Sequence, residues 1–359
     1  MTIATESMRK QRSSLALVKG PGGLLCLFAL LFGAVLLSAR MGFVEFSFGE
    51  VLSALWHGVT GSEGQTTAAE TARVMVWEVR LPRILTAAAA GAGLAVAGAV
   101  YQNILLNPLA DPYTLGVSSG AAFGAAVALL FGMGKAVLSV PLFAFGGGIL
   151  TLFIVIAMAS PSGRLLRCGI DSSNLILSGI MVSAILSAGL SFMKYLADEQ
   201  VSVIIFWLMG SFAAATWRDA AILSGVTTAG FLLFLFYARD LNLLALGEKS
   251  ARSLGVDTSK TVFILLVAAS LVAAVCVAVS GIIGFVGLLV PHMVRFVTGP
   301  DSRKLLPATL VIGAVLLLFA DTVTRAVLPY EVPIGVLTAL IGGPVFCVIF
   351  RKSRMGGGA

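Results

Sequence analysis

An all-α protein that crosses a membrane about ten times is the fold class this sequence predicts, from three observations. Of its 359 residues, 58% are hydrophobic and 11% are charged, whereas soluble domains carry roughly 25% charged residues. Apolar runs recur from Leu24 to Phe350, and a helix needs about 20 such residues to cross a bilayer. Many of the 40 glycines lie inside those runs, among them Gly91, Gly93, Gly98, Gly120 and Gly124, and small residues let helices approach closely in lipid. Many helices packed tightly together suit a polytopic transporter better than a single-span receptor.

In chain order, residues 1–23 form a basic tail with Arg9, Lys10, Arg12 and Lys19. The apolar run from Leu24 to Leu37 imitates a signal peptide, but LLSARMGF follows it where an A-x-A-like cleavage site would stand. A retained first span over 24–39 is therefore expected. Residues 40–80 read as a long extramembrane segment whose GVTGSEGQTTAAET has loop composition. Further spans are expected at 82–103, 113–133, 136–158, 172–194, 219–238, 261–279, 282–297, 305–325 and 335–350. A shorter apolar piece, VIIFWLMGSF at 203–212, reads as a half-span or interfacial helix. Residues 24–350 thus make one transmembrane domain, followed by a short tail at 351–359.

An even number of spans puts both termini on one side. If that side is the cytoplasm, the segments facing it hold most of the 24 basic residues, including Arg164, Arg167, Arg239, Lys249, Arg252, Lys260, Arg303 and Lys304, and such asymmetry sets orientation. The net charge of +7 forms no stripe or block, so it does not indicate a nucleic-acid surface. Cys26, Cys168, Cys276 and Cys347 are far apart and the only histidines are His57 and His292. Neither a metal centre nor a disulfide framework is expected from them.

The same orientation places Asp240–Lys260, DLNLLALGEKSARSLGVDTSK, in the cytoplasm. This polar island lies between two long apolar runs and carries Glu248, Lys249, Ser250, Arg252, Ser253 and Asp257. Its Leu244, Leu246, Ala251 and Leu254 recur at helix-like intervals, and Gly247 and Gly255 bracket the middle, so a short amphipathic helix along the membrane surface is expected. A solvated loop is the plainer reading.

Other patterns carry little. Gly116-Val117-Ser118-Ser119-Gly120 fits the nucleophile-elbow spacing but opens an apolar helix instead of following a strand. Gly134-Lys135 looks like the end of a P-loop, but Leu129 stands at the first glycine and Ala136 at the Ser/Thr, so no ATP site is expected in this chain. Ionisable residues in spans are costly and informative. Asp321 and Arg325 are one helical turn apart and positioned to pair. Arg80 and Arg83 flank Leu81-Pro82 at the start of the second span. If those helix ends are neighbours, the three arginines form a cluster able to recruit a carboxylate-bearing partner; headgroup anchoring is the plainer alternative.

Arg80-Leu81-Pro82-Arg83, Gly98 with Gln102, Asn107-Pro108-Leu109-Ala110-Asp111-Pro112 and Leu115-Gly116 resemble the membrane permeases of iron-siderophore, haem and cobalamin ABC importers. So do Leu246 to Val256, Gly284 to Arg295, Ala320-Asp321 with Arg325, Glu331-Val332-Pro333-Ile334-Gly335 and Gly343-Pro344-Val345-Phe346. The motifs run in order from about 80 to 350; Leu106 departs from them, standing where relatives often carry a polar or charged residue.

The resemblance implies a type II ABC importer permease fold working as a homodimer in the bacterial inner membrane, with the path along the two-fold axis. It further implies two cytoplasmic ATPase subunits, which hold ATP and magnesium, and a periplasmic or surface-tethered binding protein. Cofactors are expected only in those partners. On this basis Leu246, Gly247, Glu248, Ala251, Arg252, Leu254 and Gly255 are assigned to ATPase coupling. Arg80, Arg83 and Arg325 are assigned to binding-protein docking, and Asn107, Pro108, Pro291, His292, Arg295 and Asp321 to gating and packing. The implied function is import of a metal chelate, and the chain itself is a transport subunit without catalysis. The rivals are an ion-coupled carrier using Asp321 and a membrane-embedded enzyme, for which no cluster of His, Asp and Glu at one depth provides a site.

Overall fold

Residues 81–104 read LPRILTAAAAGAGLAVAGAVYQNI, with small or apolar side chains on every face. A helix without a polar stripe is stable only where other elements surround it. The computed structural model, which describes residues 21–42, 44–62, 66–133, 139–160, 172–326 and 330–356, puts this helix at the centre: every residue from Ala90 to Ile104 is buried.

Around it every regular element among the described residues is a helix. In order come α1 (Pro21–Arg40), α2 (Phe48–Thr60), α3 (Thr67–Arg73), a π-helical stretch Val74–Arg80, and the central α4 (Leu81–Ile104). Then follow α5 (Val117–Leu130), α6 (Ser139–Ala159), α7 (Ser172–Leu196), α8 (Val201–Leu208), α9 (Trp217–Phe236), α10 (Ala238–Leu244) and α11 (Glu248–Ser253). The last four are α12 (Thr258–Ser280), α13 (Val286–Thr298), α14 (Ser302–Ala326) and α15 (Ile334–Gly356). α4 packs against α9, α12, α13 and α14.

Each expected span coincides with a helix. Among the described residues six helices are long and apolar enough to cross a bilayer, and the shorter apolar segments Leu25–Arg40, Val117–Leu130, Val286–Thr298 and Ile334–Ile349 complete the set. The protein is a multi-pass membrane protein. The span expected over 113–133 starts late, because Asp111 caps a separate turn at Pro112–Leu115 and Gly116 takes φ +79° before α5 begins. The half-span is α8, and α15 extends through the expected tail to Gly356. Arg9, Lys10, Arg12, Lys19, Lys135, Arg164, Arg167 and Cys168 lie outside the described residues, as does Gly134.

The expectation of a loop around 58–71 needs correction: residues 58–60 close α2 and residues 67–71 belong to α3. Ser47 caps α2 by accepting from the Glu50 backbone N–H, while Glu50 accepts from that of Ser47 at 2.7 Å. This reciprocal cap is legible as S-x-x-E. Gly61 ends the helix at φ +66° and Thr66 caps α3.

Close approach explains how α4 accepts so many neighbours. A Cβ at Gly91 would lie 2.2 Å from the carbonyl oxygen of Gly313, and one at Gly98 would lie 1.8 Å from that of Gly287. The second contact has a local cause. Pro291 lacks the N–H that would normally bond the Gly287 carbonyl four residues earlier, so α4 packs against a backbone oxygen of α13 that has lost its usual i+4 donor.

Candidate functional site

The two ends of α4 hold the sequence-derived candidates. At its Ile104 end lies α11, entered through Gly247 at φ +96° and left through Gly255 at φ +90°. Only glycine adopts these angles without strain, so the chain turns sharply on both sides of six helical residues. Glu248 and Arg252, one turn apart, pair at 2.6 Å with both side chains half-exposed. Arg252 Nε also donates to Thr258 Oγ1 at 2.8 Å, and that hydroxyl donates to Glu248 Oε1 at 3.3 Å. The buried Thr258 opens α12. α11 is therefore fastened by its charges to the first turn of a spanning helix.

The single amphipathic helix expected here is two short helices. Gly247 interrupts the register between α10 and α11, so Leu244 and Ala251 are buried while Leu246 and Leu254 are 64% and 59% exposed. The four residues do not share one face. A cleft of about 140 Å³ beside α11 is bordered by Leu106, Ser172, Glu248 and Thr258. Leu106, the departure from the family motif, sits there at φ +50°, a conformation uncommon for a bulky residue.

Behind α11 runs a chain of hydrogen bonds. Asn242 of α10 donates to Asp301 Oδ1 and accepts from the Ser302 backbone N–H, both at 2.7 Å. Asn103 of α4 donates to Ser302 Oγ at 3.1 Å and accepts from Arg295 of α13 at 3.0 Å. The Asn242 hydrogen bond holds the Asp301 carboxyl below its ordinary value, partly opposed by burial and assisted by the Arg303 N–H and the nearby Arg303 and Lys304 charges. Of these residues sequence reasoning singled out only Arg295. Asn103 and Asn242 were discoverable as lone amides inside apolar stretches; Thr258 and Ser302 were not, because a hydroxyl at a helix start is ordinary.

At the opposite end the three arginines converge, but inward. Arg83 grips Asp321 with Nε at 3.0 Å and Nη2 at 2.8 Å from Oδ1, and its Nη2 also reaches Glu331 at 2.5 Å. Asp321 is 1% exposed, so its charge is neutralised where water does not reach. Arg325 approaches Asp321 at only 3.5 Å. The expected i, i+4 pair is thus secondary to a partner 238 residues away. Arg325 instead donates to the Met41 carbonyl and to Ser38, both its backbone carbonyl and its hydroxyl. Arg80 donates to the carbonyls of Ala39, Arg40 and Val44 and lies over the Phe46 ring. Buried arginines spending their donors on α1 and the segment after it act as internal braces.

The remaining motif residues are dispersed. Asn107 closes an Asx turn by accepting from the Leu109 N–H at 2.9 Å, with the exposed Pro108 inside it. The ring of His292 meets Phe296 edge-on at 5.0 Å and Phe346 at 6.4 Å. Its buried Nε2 has no hydrogen-bond partner among the described residues.

α8 is bound to its neighbours through main chain. Ser211 N–H donates to the Ser280 carbonyl, Ile334 N–H to that of Gly210 and Gly335 N–H to that of Met209. These tie the half-span to the end of α12 and the start of α15.

A family profile described as the FecCD transport family matches residues 29–352. The chain is 43% identical to a cobalamin import system permease protein of Halobacterium salinarum, over 80% of this chain and 76% of that protein. It is 37% identical to a molybdate import system permease protein of Haemophilus influenzae, over 91% and 97% of the two chains. Among solved structures it resembles an inward-facing transporter of metal-chelate ABC type, with TM-score 0.78 and 34% identity over 93% of this chain and all of that one.

Proposed function

This chain belongs to the FecCD transport family of ABC importer permeases, and on that premise we propose that it carries a metal chelate inward, driven through α11 by separate ATPase subunits. It is a permease subunit, not an enzyme. Its cargo would be a ferric siderophore, haem or cobalamin; the likeness to a transporter of metal-chelate type supports this class. Both termini and 240–260 would face the cytoplasm of the bacterial inner membrane. Two copies would enclose the path, with two ATPases holding ATP and magnesium on one side and a binding protein on the other.

One observation carries the coupling role. α11 is held rigidly from behind by Thr258 and yet presents Leu246 and Leu254 unpaired. A rigid helix with free apolar residues at its margins suits insertion into a groove of a partner. α12 then connects this contact to α8 at the far side, so alternating access becomes a two-state equilibrium biased by the partners. Binding-protein docking is assigned to the surface that Arg80, Arg83 and Arg325 brace, with Arg83 reaching it through Glu331. Ion coupling through Asp321 is disfavoured, since its carboxylate is already clamped by Arg83.

Vesicles containing the permease and its ATPase test the reading. Uptake of labelled chelate should require internal ATP and resist an uncoupler, and Glu248→Ala with Arg252→Ala should abolish it while assembly in the membrane persists. Unchanged ATP-driven uptake in the double variant would exclude the coupling role.

A further inference from the structure

α2 lies outside the spans, yet its side chains divide into three sectors at about 100° per residue. Val51, Ala54 and Gly58 form one sector, and the first two are buried against the protein. Glu50, Ser53, His57 and Thr60 form a second, polar sector. Phe48, Leu52, Trp56 and Val59 form the third and are 54%, 68%, 68% and 72% exposed. A helix between protein and water alone needs two sectors. The third is apolar, contains no charge of its own and is largely exposed along its length, with the Arg40 guanidinium against it at Phe48.

Its surroundings identify the occupant. Gly58 rests on Trp77, so closely that a Cβ there would lie 2.2 Å from the ring. Trp77 in turn stacks against Trp217 at 5.0 Å, where α9 begins. α2 therefore lies beside a tryptophan pair at the ends of two spans, and tryptophans at span ends mark a membrane–water boundary. At the other end of α2 the Arg40 guanidinium, at the end of α1, lies 4.9 Å from the Phe48 ring, and α1 itself exposes apolar side chains such as Leu37 and Phe32.

We propose that α2 is an interfacial anchor, its Phe48–Leu52–Trp56–Val59 face lying in the lipid headgroup–acyl boundary at the Arg83 end of the bundle. Such helices sit roughly 5–10 Å into that boundary. Because Arg80 and Arg325 bond the segment between α1 and α2, this anchor would fix the height in the bilayer of the braced surface beside it.

The test uses the full-length permease in phosphatidylcholine–phosphatidylglycerol nanodiscs, with Cys26, Cys168 and Cys347 replaced by serine and buried Cys276 retained. Spin labels are placed singly through Leu52→Cys, Val59→Cys and Ser53→Cys. Oxygen collisions should exceed those of a water-soluble nickel chelate several-fold at 52 and 59, with the order reversed at 53. Nickel preference at all three positions would overturn the proposal in favour of a water-exposed helix. Immobilised labels at 52 and 59 that neither reagent reaches would overturn it in favour of a protein partner or a second copy. Unlabelled protein gives an independent reading: brominated lipid should quench wild-type fluorescence more than that of Trp56→Phe, and equal quenching would contradict the anchor.

Discussion

At one end of α4, three guanidiniums fold inward onto Asp321 and the main chain of residues 38–44; at the other, Arg252 and Glu248 pair in the open. Burial gives these pairs different energetic meanings. Asp321 is 1% exposed and Arg83 12%, so losing Arg83 leaves the buried Asp321 carboxylate with only the looser approach of Arg325. Both members of the Glu248–Arg252 pair are about half-exposed, and exposed pairs of this spacing contribute only about 0.3–0.5 kcal/mol. The Arg83 end is thus built to hold position. The Glu248 end leaves its charges and leucines accessible, with the neighbouring framework held by the hydrogen bonds of Asn242 and Asn103 to Asp301, Ser302 and Arg295.

The largest expected effect breaks the Arg83 end. Arg83→Ala should lower stability by about 3–5 kcal/mol, the usual consequence of leaving a buried charge unpaired. Detergent-solubilised thermal denaturation measures it. The double replacement Arg83→Met/Asp321→Leu should recover most of the loss, and no recovery would mean that packing, not charge, dominates there. Next comes Gly98→Ala, which forces a methyl into the Gly287 carbonyl and should cost about 1–3 kcal/mol by overpacking. The same denaturation assay applies, with Gly225→Ala as the control, since a Cβ there meets nothing within 4 Å.

At the Glu248 end the effects should divide differently. Thr258→Val removes a hydroxyl bonded to both Glu248 and Arg252 and should cost only about 1 kcal/mol. ATP-driven uptake should nevertheless fall more than thermal stability suggests, because α11 loses its fastening to α12. The smallest effect is a pH dependence at Asp301. Its carboxyl is held below the ordinary value in the folded protein, so it stabilises fully above the unfolded pKa of about 3.9. That contribution disappears as pH falls through the lower folded value. Denaturation midpoints should decline below about pH 4 more steeply in the wild type than in Asp301→Asn.

The spans were legible because length and apolarity alone dictate them; α4 and α12 begin and end close to their apolar runs. Motif order likewise pointed to the family from residues 80–350. What remained hidden was long-range pairing. Asp321 has an arginine one turn away in sequence, but its bidentate partner Arg83 comes from another helix, which no local spacing reveals. Arg80 and Arg325 look like surface cations until α1 and the residue after it supply carbonyls to receive them. α2 was obscured by the glycines and polar residues that follow it, although the Ser47–Glu50 cap and its apolar spacing were present in the sequence.

Contact with the ATPase distinguishes the two ends most directly. A photo-crosslinking residue is placed either at Leu254, 59% exposed beside α11, or at Tyr330, 82% exposed beside Glu331, in the permease assembled with its ATPase in membranes. We expect irradiation to join the ATPase to the chain from position 254 and not from 330. Crosslinking from 330, or none from 254 in a complex that still transports, would contradict the assignment of α11 as the point where ATP hydrolysis acts on the bundle.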